Sequence, residues 1–381
     1  MSVSMTDVLV VGAGPVGLTA AIVLTQRGHT VTVVDGQPEG ANTSRAAVVH
    51  SRTLELLAPY GVTPDLVARG VHTPTFAIRD RDALLMGIPF DALPTEYPYT
   101  LMISQADTEA LLLKRLENLG GHVMRPATVT SVEQDPDGVL ATFSDGHRIR
   151  ARYLIGADGV RSTIREQAGI TFSGSTYPES FVLADVRLSG GVPADEVILY
   201  FSPAGLVVLA PLPDDRYRIV ATVDDAPALP DSAFVQRLLD ERGPQARPAI
   251  VEEVLWGSRF RVHHRIADAF RSDRILLAGD AAHVHSPAGG QGMNLGIEDG
   301  VAAAECLSRV LLGEPEALLD DYAAQRRRVA DRVVKLADRL TEMATMSARK
   351  RPVRNAVMRF AGRLPAVRRR LAVRLSGLDR R

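Results

Sequence analysis

Residues 7–35, DVLVVGAGPVGLTAAIVLTQRGHTVTVVD, constrain the fold more than any other stretch of the chain. A short apolar run leads into a glycine-rich turn, then an Ala- and Leu-rich segment that stops at Gly28, and finally a second β-branched run, which is the pattern of a βαβ unit. Gly12 permits the tight turn, Gly14 lets a pyrophosphate approach the backbone, and Gly17 lets helix and strand pack closely. The sequence therefore predicts an α/β fold built on a Rossmann-like dinucleotide-binding domain.

Two further features of this unit indicate a bound dinucleotide. The first turn of the helix, which contains Pro15 and Val16, offers free N–H groups and a partial positive charge to phosphates. Asp35 ends the second strand, where a carboxylate can accept a hydrogen bond from a ribose hydroxyl. The motif by itself leaves FAD and NAD(P) as alternatives.

Two later strands end in short polar motifs. In YLIGADGVRSTIRE, residues 153–166, a strand runs into Asp158 and a helical segment that contains Arg161. In RILLAGD, residues 274–280, a second apolar strand ends on Asp280 and continues as AAHVHSPAGGQGMNLG. We expect the glycine-rich end of this stretch to open a helix over residues 293–312.

With these three motifs in this order, the chain resembles the flavin monooxygenases of the para-hydroxybenzoate hydroxylase type, nearest the FAD-dependent hydroxylases of aromatic polyketide pathways. The resemblance covers essentially the whole chain, and longer relatives continue into a thioredoxin-like domain that we expect to be lacking here. It implies FAD as cofactor, NAD(P)H as electron donor, and an aromatic, polyketide or polyphenol substrate. In that chemistry NAD(P)H reduces FAD, O2 adds to the reduced flavin to give a C4a-hydroperoxide, and the aromatic ring takes the distal oxygen.

The resemblance also implies which residues lie beside the flavin. Asp280 is expected at the ribityl chain, and Pro287 with the glycines of residues 289–292 lets the backbone lie close to the ring. The first N–H groups of the following helix, at Gly292, Met293 and Asn294, are expected to face the pyrimidine side of the ring. Reduced flavin is anionic there, and a helix start stabilises an anion.

Further cofactor contacts are implied for Arg45, Gln105, Val129, Asp158 and Arg161. Arg45 and Pro287 are the flavin-adjacent catalytic candidates, although Arg45 is equally explained as a surface arginine. The backbone at Val129 is expected to meet adenine, and Asp158 with Arg161 to link FAD to the NAD(P)H pyrophosphate. Near Gln105, the acidic residues 107 and 109 are equally explained as helix caps.

Some features depart from the family pattern or stay open. Many family members have Glu followed by a basic residue where this chain has Asp35-Gly36-Gln37. The usual arginine beside adenine is therefore absent, and FAD is expected to be held less tightly. Arg165 is expected to be a solvated neighbour of Arg161. His283 and His285 form an HxH pair whose rings we expect on opposite sides of the chain. With no third ligand in this loop, we predict no metal and a structural or flavin-flanking role for the pair.

The sequence does not single out a general acid or base. The side chains that could polarise a phenol are His50, His72, Tyr99, Tyr177, Trp256 and His264. Two other classes stay open: another enzyme of the same fold, such as a flavoprotein reductase, dehydrogenase or halogenase, and a noncatalytic flavin-binding partner. Halogenases usually carry a tryptophan-rich WxWxIP segment, and this chain has a single tryptophan.

The strand and helix patterns divide the chain into three parts. Residues 1–75, 100–172 and 268–345 are predicted to form the FAD-binding domain. Residues 76–99 and 173–267 are predicted to form an inserted, mainly antiparallel β-sheet lobe for the substrate. Residues 346–381 hold twelve Arg or Lys against one Asp, a net charge of +11. We expect this segment to form helices that dock on the acidic body of the protein, with anionic lipid or nucleic acid as the alternatives.

The composition indicates the cellular compartment and the class of protein. The 381 residues carry a net charge of −1 and are 46% hydrophobic, which favours a globular protein over a nucleic-acid binder. The single cysteine, Cys306, excludes a disulfide within the chain and favours a reducing compartment. The N-terminus lacks the basic start and long apolar run of a signal peptide or membrane span, so we expect a cytoplasmic protein.

Overall fold

The computed structural model describes residues 3–40, 46–224, 226–344, 346 and 349–380, with the backbone alone at residues 176–179 and 261–262. The helices within these residues are α1 (Pro15–Gln26), α2 (Ser51–Leu57), α3 (Thr63–Arg69), α4 (Gln105–Asn118), α5 (Thr163–Gln167), α6 (Ser232–Arg242), α7 (Gly292–Leu311), α8 (Ala317–Ala344), α9 (Arg351–Gly362) and α10 (Pro365–Leu375).

The strands of the first half are β1 (Ser4–Val11), β2 (Val31–Val34), β3 (Val48–Val49), β4 (Val71–Thr73), β5 (Thr75–Asp80), β6 (Ala83–Pro89), β7 (Thr100–Met102), β8 (Val123–Met124), β9 (Val129–Asp135), β10 (Gly138–Phe143) and β11 (Arg148–Gly156). Those of the second half are β12 (Phe172–Gly190), β13 (Glu196–Ser202), β14 (Gly205–Leu212), β15 (Arg216–Val223), β16 (Ala249–Ala267), β17 (Arg271–Ser272), β18 (Ile275–Leu277) and β19 (His283–Val284).

The first sheet has a parallel centre. Its strand order is β17-β18-β11-β1-β2-β8, and β10 and β9 form an antiparallel extension from β11. The predicted βαβ unit is confirmed, because β1 and β2 pair in parallel and α1 connects them in the sequence. The second half of β1 (VLVV) and the whole of β2 (VTVV) are almost continuous apolar runs, as expected for parallel strands covered on both faces.

The register of this sheet brings three loops to one edge. Val11, the last residue of β1, pairs with Gly156 at the end of β11, and Gly156 pairs with Leu277 at the end of β18. Parallel strands that end at the same register release their following loops side by side. The three sequence motifs follow these three strand ends, so the sheet itself brings them together.

The second sheet is mainly antiparallel. Its order is β19-β16-β12-β15-β14-β13-β5-β6, and only the β5–β13 pair among these described strands is parallel. The α/β fold class with a second, mainly antiparallel sheet is therefore confirmed, while the predicted domain boundaries stay a prediction. The third sheet contains β3, β7 and β4.

The basic C-terminal segment docks on the body of the protein, as expected. Helices α9 and α10 pack against β6. Asn355 donates to Asp80 (2.9 Å), and Arg380 forms a buried ion pair with Glu298 (2.7 Å). Of the helices in the described part of the chain, none is long and apolar enough to cross a membrane.

Helices α1 and α7 approach closely because α7 carries glycines at the contact. A Cβ added at Gly300 would lie 2.7 Å from the backbone oxygen of Val16. A Cβ added at Gly296 would lie 2.7 Å from a methyl group of the same valine. The α1–α7 contact places the start of α7 beside the start of α1, where the glycine-rich turn lies.

We predict that Gly300→Ala lowers the free energy of unfolding by about 1–3 kcal/mol, because the new methyl group meets a backbone atom that cannot move aside. This loss outweighs the roughly 1 kcal/mol by which alanine is the better helix former. Urea unfolding of the purified protein measures the effect. Gly87→Ala is the control, since a Cβ there meets nothing within 4 Å. Equal stability of the two variants would contradict the packing interpretation.

Candidate active site

A cavity of about 1410 Å³ joins the three strand-end loops to the second sheet. One wall is formed by the loops that follow β1, β11 and β18. The opposite wall is an apolar face of the second sheet, and α8, α9 and α10 contribute the remaining side. Ligand pockets typically have volumes of about 300–1,000 Å³, so this cavity has room for more than one small molecule.

The glycine-rich turn after β1 forms a cradle at one end of this cavity. Gly14, Pro15 and Val16 line it, and α1 begins there without a side-chain cap. A Cβ at Gly14 would meet no described atom within 4 Å, so the backbone is open to a ligand. An uncapped helix start with an open glycine fits a pyrophosphate.

Gly12 and Gly17 support this cradle from behind rather than lining it. A Cβ at Gly12 would lie 2.3 Å from the backbone oxygen of Ala157, and one at Gly17 would lie 1.9 Å from the backbone oxygen of Gly12. Gly12 also has φ of +103°, which favours glycine. Both residues serve the tight packing of strand, turn and helix, as the sequence indicates.

Asp35 lies behind the cradle and is engaged by the backbone. Its Oδ2 accepts from the N–H of Ala13 (2.7 Å), and its Oδ1 accepts from the N–H of Gln37 (2.8 Å). Each carboxylate oxygen has a second lone pair, so a ribose hydroxyl can still be accepted. Asp35 is not among the described residues that line the cavity.

Arg125, which the sequence analysis missed, supplies a cation at this end. Its guanidinium lies 3.9 Å from the Asp35 carboxylate and donates to the backbone oxygen of Ala13 (3.2 Å). Its Nε is buried and has no hydrogen-bond partner among the described residues. Arg125 thus brings a cation from the loop after β8 to the end of β2. At that point β2 itself is followed by Gly36 and Gln37, neither of which is basic.

The loop after β18 carries Asp280 into the cavity. Residues 279–281 form a 3-10 turn, and Asp280 is exposed and lines the cavity wall. Gly279 has φ of +63°, and its position lies against Val16 of α1. The strand end and the helix contact together fix where this carboxylate emerges.

The start of α7 also faces the cavity. Helix α7 begins at Gly292, close to the predicted position, and has no side-chain cap. Pro287, Gly292 and Met293 line the cavity, so N–H groups of this helix start are near any ligand in it. A helix start of this kind stabilises an anion.

The glycines around the start of α7 differ in what surrounds them. Gly289 and Gly290 have φ of +82° and +62°, so the backbone conformation requires glycine at both. A Cβ at Gly290 would lie 2.9 Å from Val48, whereas one at Gly292 would meet only a ring carbon of His285, at 4.0 Å. Of these three positions, Gly292 is the one whose missing side chain leaves open space.

Asn294 holds this loop in place with its side chain. Its Oδ1 accepts from the N–H of His50 (2.8 Å) and the hydroxyl of Thr53 (2.7 Å). Its Nδ2 donates to the backbone oxygens of Val48 and Gly290 (both 2.8 Å). The side chain is fully buried, so its role is to join α7 to the β3–α2 region rather than to line the cavity.

The ADG motif after β11 is partly structural. Asp158 lines the cavity, but its carboxylate accepts from Ser162 and from the N–H of Ile164 at the start of α5. Burial raises the pKa of Asp158, although these hydrogen bonds oppose the shift. Arg161 is exposed and also lines the cavity, so its guanidinium is available at the surface of the site.

The expectation that Arg165 is solvated is wrong. Its side chain is 5% exposed and donates to the backbone oxygens of Ala281 (3.0 Å) and Val160 (3.1 Å). It also lies 4.0 Å from the ring centroid of Phe172. Arg165 therefore ties the ADG motif to the Asp280 turn, which helical spacing alone could not indicate.

Gln105 and a buried arginine hold the chain at Ala46. Gln105 lines the cavity and exchanges hydrogen bonds with the Ala46 backbone. Arg218 of β15, also missed by the sequence analysis, donates to the Ala46 oxygen (2.8 Å) and pairs twice with Asp185 (both 2.7 Å). Arg45, the predicted flavin-adjacent arginine, lies outside the described residues.

Other predicted positions have structural surroundings. Val129, at the start of β9, is buried in the core and is not among the described cavity-lining residues. Near Gln105, the N–H of Asp107 donates to Ser104, the cap of α4, and Asp107 accepts from the same hydroxyl. Glu109 is buried and accepts from Gln105 (2.8 Å).

The HxH pair lies on one side of the chain, so the expected opposite orientation is wrong. The rings of His283 and His285 are stacked with centroids 6.4 Å apart, because residues two apart in an extended segment share a face. His283 bonds to the buried Asp299 (2.6 Å). Among the described residues, no group of three or more His, Cys, Asp or Glu side chains could hold a metal ion.

A buried charge network continues from this histidine. Asp299 also accepts from Arg326 (2.5 Å), which in turn lies 3.3 Å from Glu298. Burial by itself would raise the pKa of Asp299, yet Arg326 and His283 hold it below its ordinary value. Each charge in this network is paired, which is the condition for keeping it out of water.

None of the described candidates for a general acid or base lines the cavity. His50, His72, Tyr99, Trp256 and His264 are not among its described lining residues, and the side chain of Tyr177 lies outside the described part. His72 stacks on Tyr99, and His264 lies 2.9 Å from Asp338. Two other histidines, His263 and His285, line the cavity instead.

Comparison with known proteins places the chain in a family. A family model described as "FAD binding domain" matches residues 5–337. The chain belongs to this FAD-binding family. The residues present fit the cofactor, since the open glycine cradle, the buried unpartnered Nε of Arg125 and the uncapped start of α7 provide the donors that a flavin dinucleotide requires.

Several similar proteins are monooxygenases or hydroxylases by name. The 6-methylpretetramide 4-monooxygenase of Streptomyces rimosus is 39% identical over 91% of this chain, which spans 64% of that relative's length. The structure of p-nitrophenol 4-monooxygenase from Pseudomonas putida has a TM-score of 0.87 and 27% identity, and it covers 99% of both chains. An anhydrotetracycline hydroxylase from Streptomyces rimosus has a TM-score of 0.82 and 32% identity over 98% of this chain and 76% of its own.

Two buried histidines near α7 predict how stability depends on pH. Burial lowers the pKa of His50 and of His285 to about 4. The His50 Nδ1 and the His285 Nε2, which would take the extra proton, have no partner among the described residues. The unfolded chain therefore binds more protons between pH 6.5 and 4, and stability falls as the pH falls through this window.

We predict that His285→Asn reduces the slope of unfolding free energy against pH in this window by up to about 1.4 kcal/mol per pH unit. Urea unfolding at a series of pH values measures the slope. His122→Asn, at an exposed histidine, is the control and should leave the slope unchanged. A His285→Asn slope equal to that of the unmodified protein would contradict the burial argument.

We predict that Arg125→Ala weakens FAD binding by about tenfold or more, because a hydrogen bond from a charged group contributes about 1.5–3 kcal/mol. Titration of the FAD-stripped protein, followed by flavin fluorescence, measures the dissociation constant. Arg148→Ala, at an exposed arginine of β11, is the control. If Arg125→Ala bound FAD as tightly as the control, the guanidinium would have no role at this site.

Proposed function

We propose that this protein is an FAD-dependent monooxygenase that consumes NAD(P)H and hydroxylates an aromatic substrate of the polyketide or polyphenol class. The observation that carries the proposal is the shared cavity, in which dinucleotide-binding loops face an apolar sheet. The names of the relatives support the reaction class. We also propose that it works in the cytoplasm, on the basis of its single cysteine.

The residues that would hold FAD follow from the positions of the loops. The N–H groups of Gly14 and Val16 would bind the pyrophosphate, with Asp35 and Arg125 toward the adenosine end. Asp280 would bind the ribityl chain, and the start of α7 would face the ring. Bound FAD would supply the redox chemistry, accepting a hydride and activating O2.

The sheet wall favours a flat, apolar substrate. The cavity-facing side chains of the second sheet include Phe76, Phe181, Leu183, Leu199, Val208 and Val220. Apolar walls bind aromatic rings by burial and exclude water from the reacting groups. Arg218 is a cation on this wall, and its hydrogen bonds to Asp185 and Ala46 fix its orientation.

The electron donor would be recognised by arginines at the edge of the cavity. Arg161 and Arg265 both line it, from the ADG motif and from β16. A guanidinium keeps its charge at all relevant pH values and matches a phosphate with two parallel hydrogen bonds. These two side chains would bind the pyrophosphate of NADH or NADPH.

The reaction is tested with the FAD-loaded protein, NADH or NADPH, and a panel of polyphenols under 18O2. We expect oxygenated product that carries the label, formed in proportion to the NAD(P)H consumed. Turnover without O2 would instead assign a reductase or dehydrogenase. Flavin binding with neither activity across the panel would favour a noncatalytic flavoprotein.

We predict that Val220→Trp lowers kcat/KM for the aromatic substrate by at least about tenfold, because a bulky side chain fills the space that the ring would occupy. Initial rates at varied substrate concentration measure the effect, and FAD content is measured alongside. Leu255→Trp, at an exposed leucine of β16 outside the described lining, is the control. Unchanged kinetics in Val220→Trp would place the substrate elsewhere.

A further inference from the structure

Helix α9 carries two apolar faces, and only one of them is covered. Met358 is buried on the side that packs against β6. Val353, Val357 and Phe360 are 67%, 59% and 66% exposed, and Leu364, just beyond the helix, is 42% exposed. Within the helix, spacings of four and three residues place Val353, Val357 and Phe360 along one side, and Leu364 follows at the end of the helix. We refer to Val353, Val357, Phe360 and Leu364 as the exposed stripe.

The exposed stripe is surrounded by positive charge. Between residues 349 and 378 the sequence has no acidic residue. The exposed cations of this region are Arg349, Lys350, Arg359, Arg363, Arg369, Arg370 and Arg374. A line of apolar side chains within a strongly basic surface is the pattern of a helix that lies in the interface of an anionic membrane.

The stripe is continuous with the large cavity. Val357 belongs to the stripe and also lines the cavity, together with Met358 and Ala361 of the same helix. From α10, Val367 and Leu371 extend this lining. An apolar surface therefore leads from the outside of α9 into the cavity.

A second copy of this chain is a poor occupant of the stripe. In a twofold dimer through α9, two segments of net charge +11 would face one another. An anionic bilayer matches both features at once, since acyl chains accept the apolar side chains and lipid phosphates pair with the arginines.

We propose that α9 docks this protein onto membrane surfaces rich in anionic lipid, with the exposed stripe in the interface and the adjoining side of the cavity turned toward the bilayer. The contact is peripheral, since the opposite face of α9 stays packed on the protein. The proposal rests on α9 and its charges and does not depend on the reaction that the cavity supports.

Vesicle co-sedimentation of the purified full chain tests the proposal. Vesicles of phosphatidylcholine alone are compared with vesicles that also contain about 30 mol% phosphatidylglycerol. We expect binding to the anionic vesicles that weakens as salt is raised, and little binding to the neutral ones. Absence of binding to the anionic vesicles, or equal binding to both kinds, would overturn the proposal.

Matched variants separate the stripe from general surface properties. The double variant Val353→Ser/Phe360→Ser is expected to weaken anionic-vesicle binding by about tenfold, because it removes the inserted apolar groups. The control is Leu229→Ser/Leu312→Ser, at two leucines that are each more than 75% exposed elsewhere on the surface. The proposal is overturned if the stripe variant binds anionic vesicles as well as this control does.

Two further measurements complete the test. Arg359→Gln/Arg363→Gln is expected to reduce both the binding and its salt dependence, since it removes two of the cations beside the stripe. Light scattering of the unmodified chain measures oligomeric state. A dimer that dissociates in Val353→Ser/Phe360→Ser would assign the stripe to a second copy and overturn membrane docking.

Discussion

The parallel register of β1, β11 and β18 is the constraint on which the site depends. Because Val11, Gly156 and Leu277 lie at matched positions, three loops that are far apart in the sequence leave the sheet at one edge. The backbone pairing of the strands alone brings these loops together, whatever side chains the loops carry. The loops then need little besides glycine and a few carboxylates to form a surface that is complementary to a dinucleotide.

Strand ends that meet at one edge do not by themselves hold the following loops in one conformation. Buried side-chain amides fix these loops. Asn294 satisfies both of its donors and both of its acceptor positions within the protein. Gln291 donates to the backbone oxygen of Leu375 and accepts from Arg380, so the C-terminal segment also holds the start of α7. Breaking one of these hydrogen bonds would leave a buried polar atom unsatisfied. Because this costs free energy, the loops are held in one conformation.

The sequence predicted the elements well where local pattern determines them. The βαβ unit, the strands of the second sheet and the start of α7 follow from hydrophobic period and glycine position, which are local properties. Arg125, Arg165 and Arg218 were missed or misjudged, because their partners are backbone oxygens far away in the chain. An arginine that binds carbonyl groups from another loop has no periodic signature. The stacking of His283 on His285 was misjudged for a different reason, since the side-chain period of an extended segment was misapplied.

The basic C-terminal segment shows how one composition serves two physical roles. Arg354 and Arg380 are turned inward, where Arg354 donates to the backbone oxygens of Met343 and Phe201 and Arg380 pairs with Glu298. These contacts join α9 and the chain end to α8, β13 and α7, and together with the buried Met358, Ala372, Leu375 and Leu378 they hold this strongly basic segment on the body. Internal pairing uses few of the charges, however, and cations such as Arg359 and Arg370 stay exposed. Cations crowded on one surface repel one another, so these exposed charges do not help the segment to fold, and the membrane docking proposed above would give them a role.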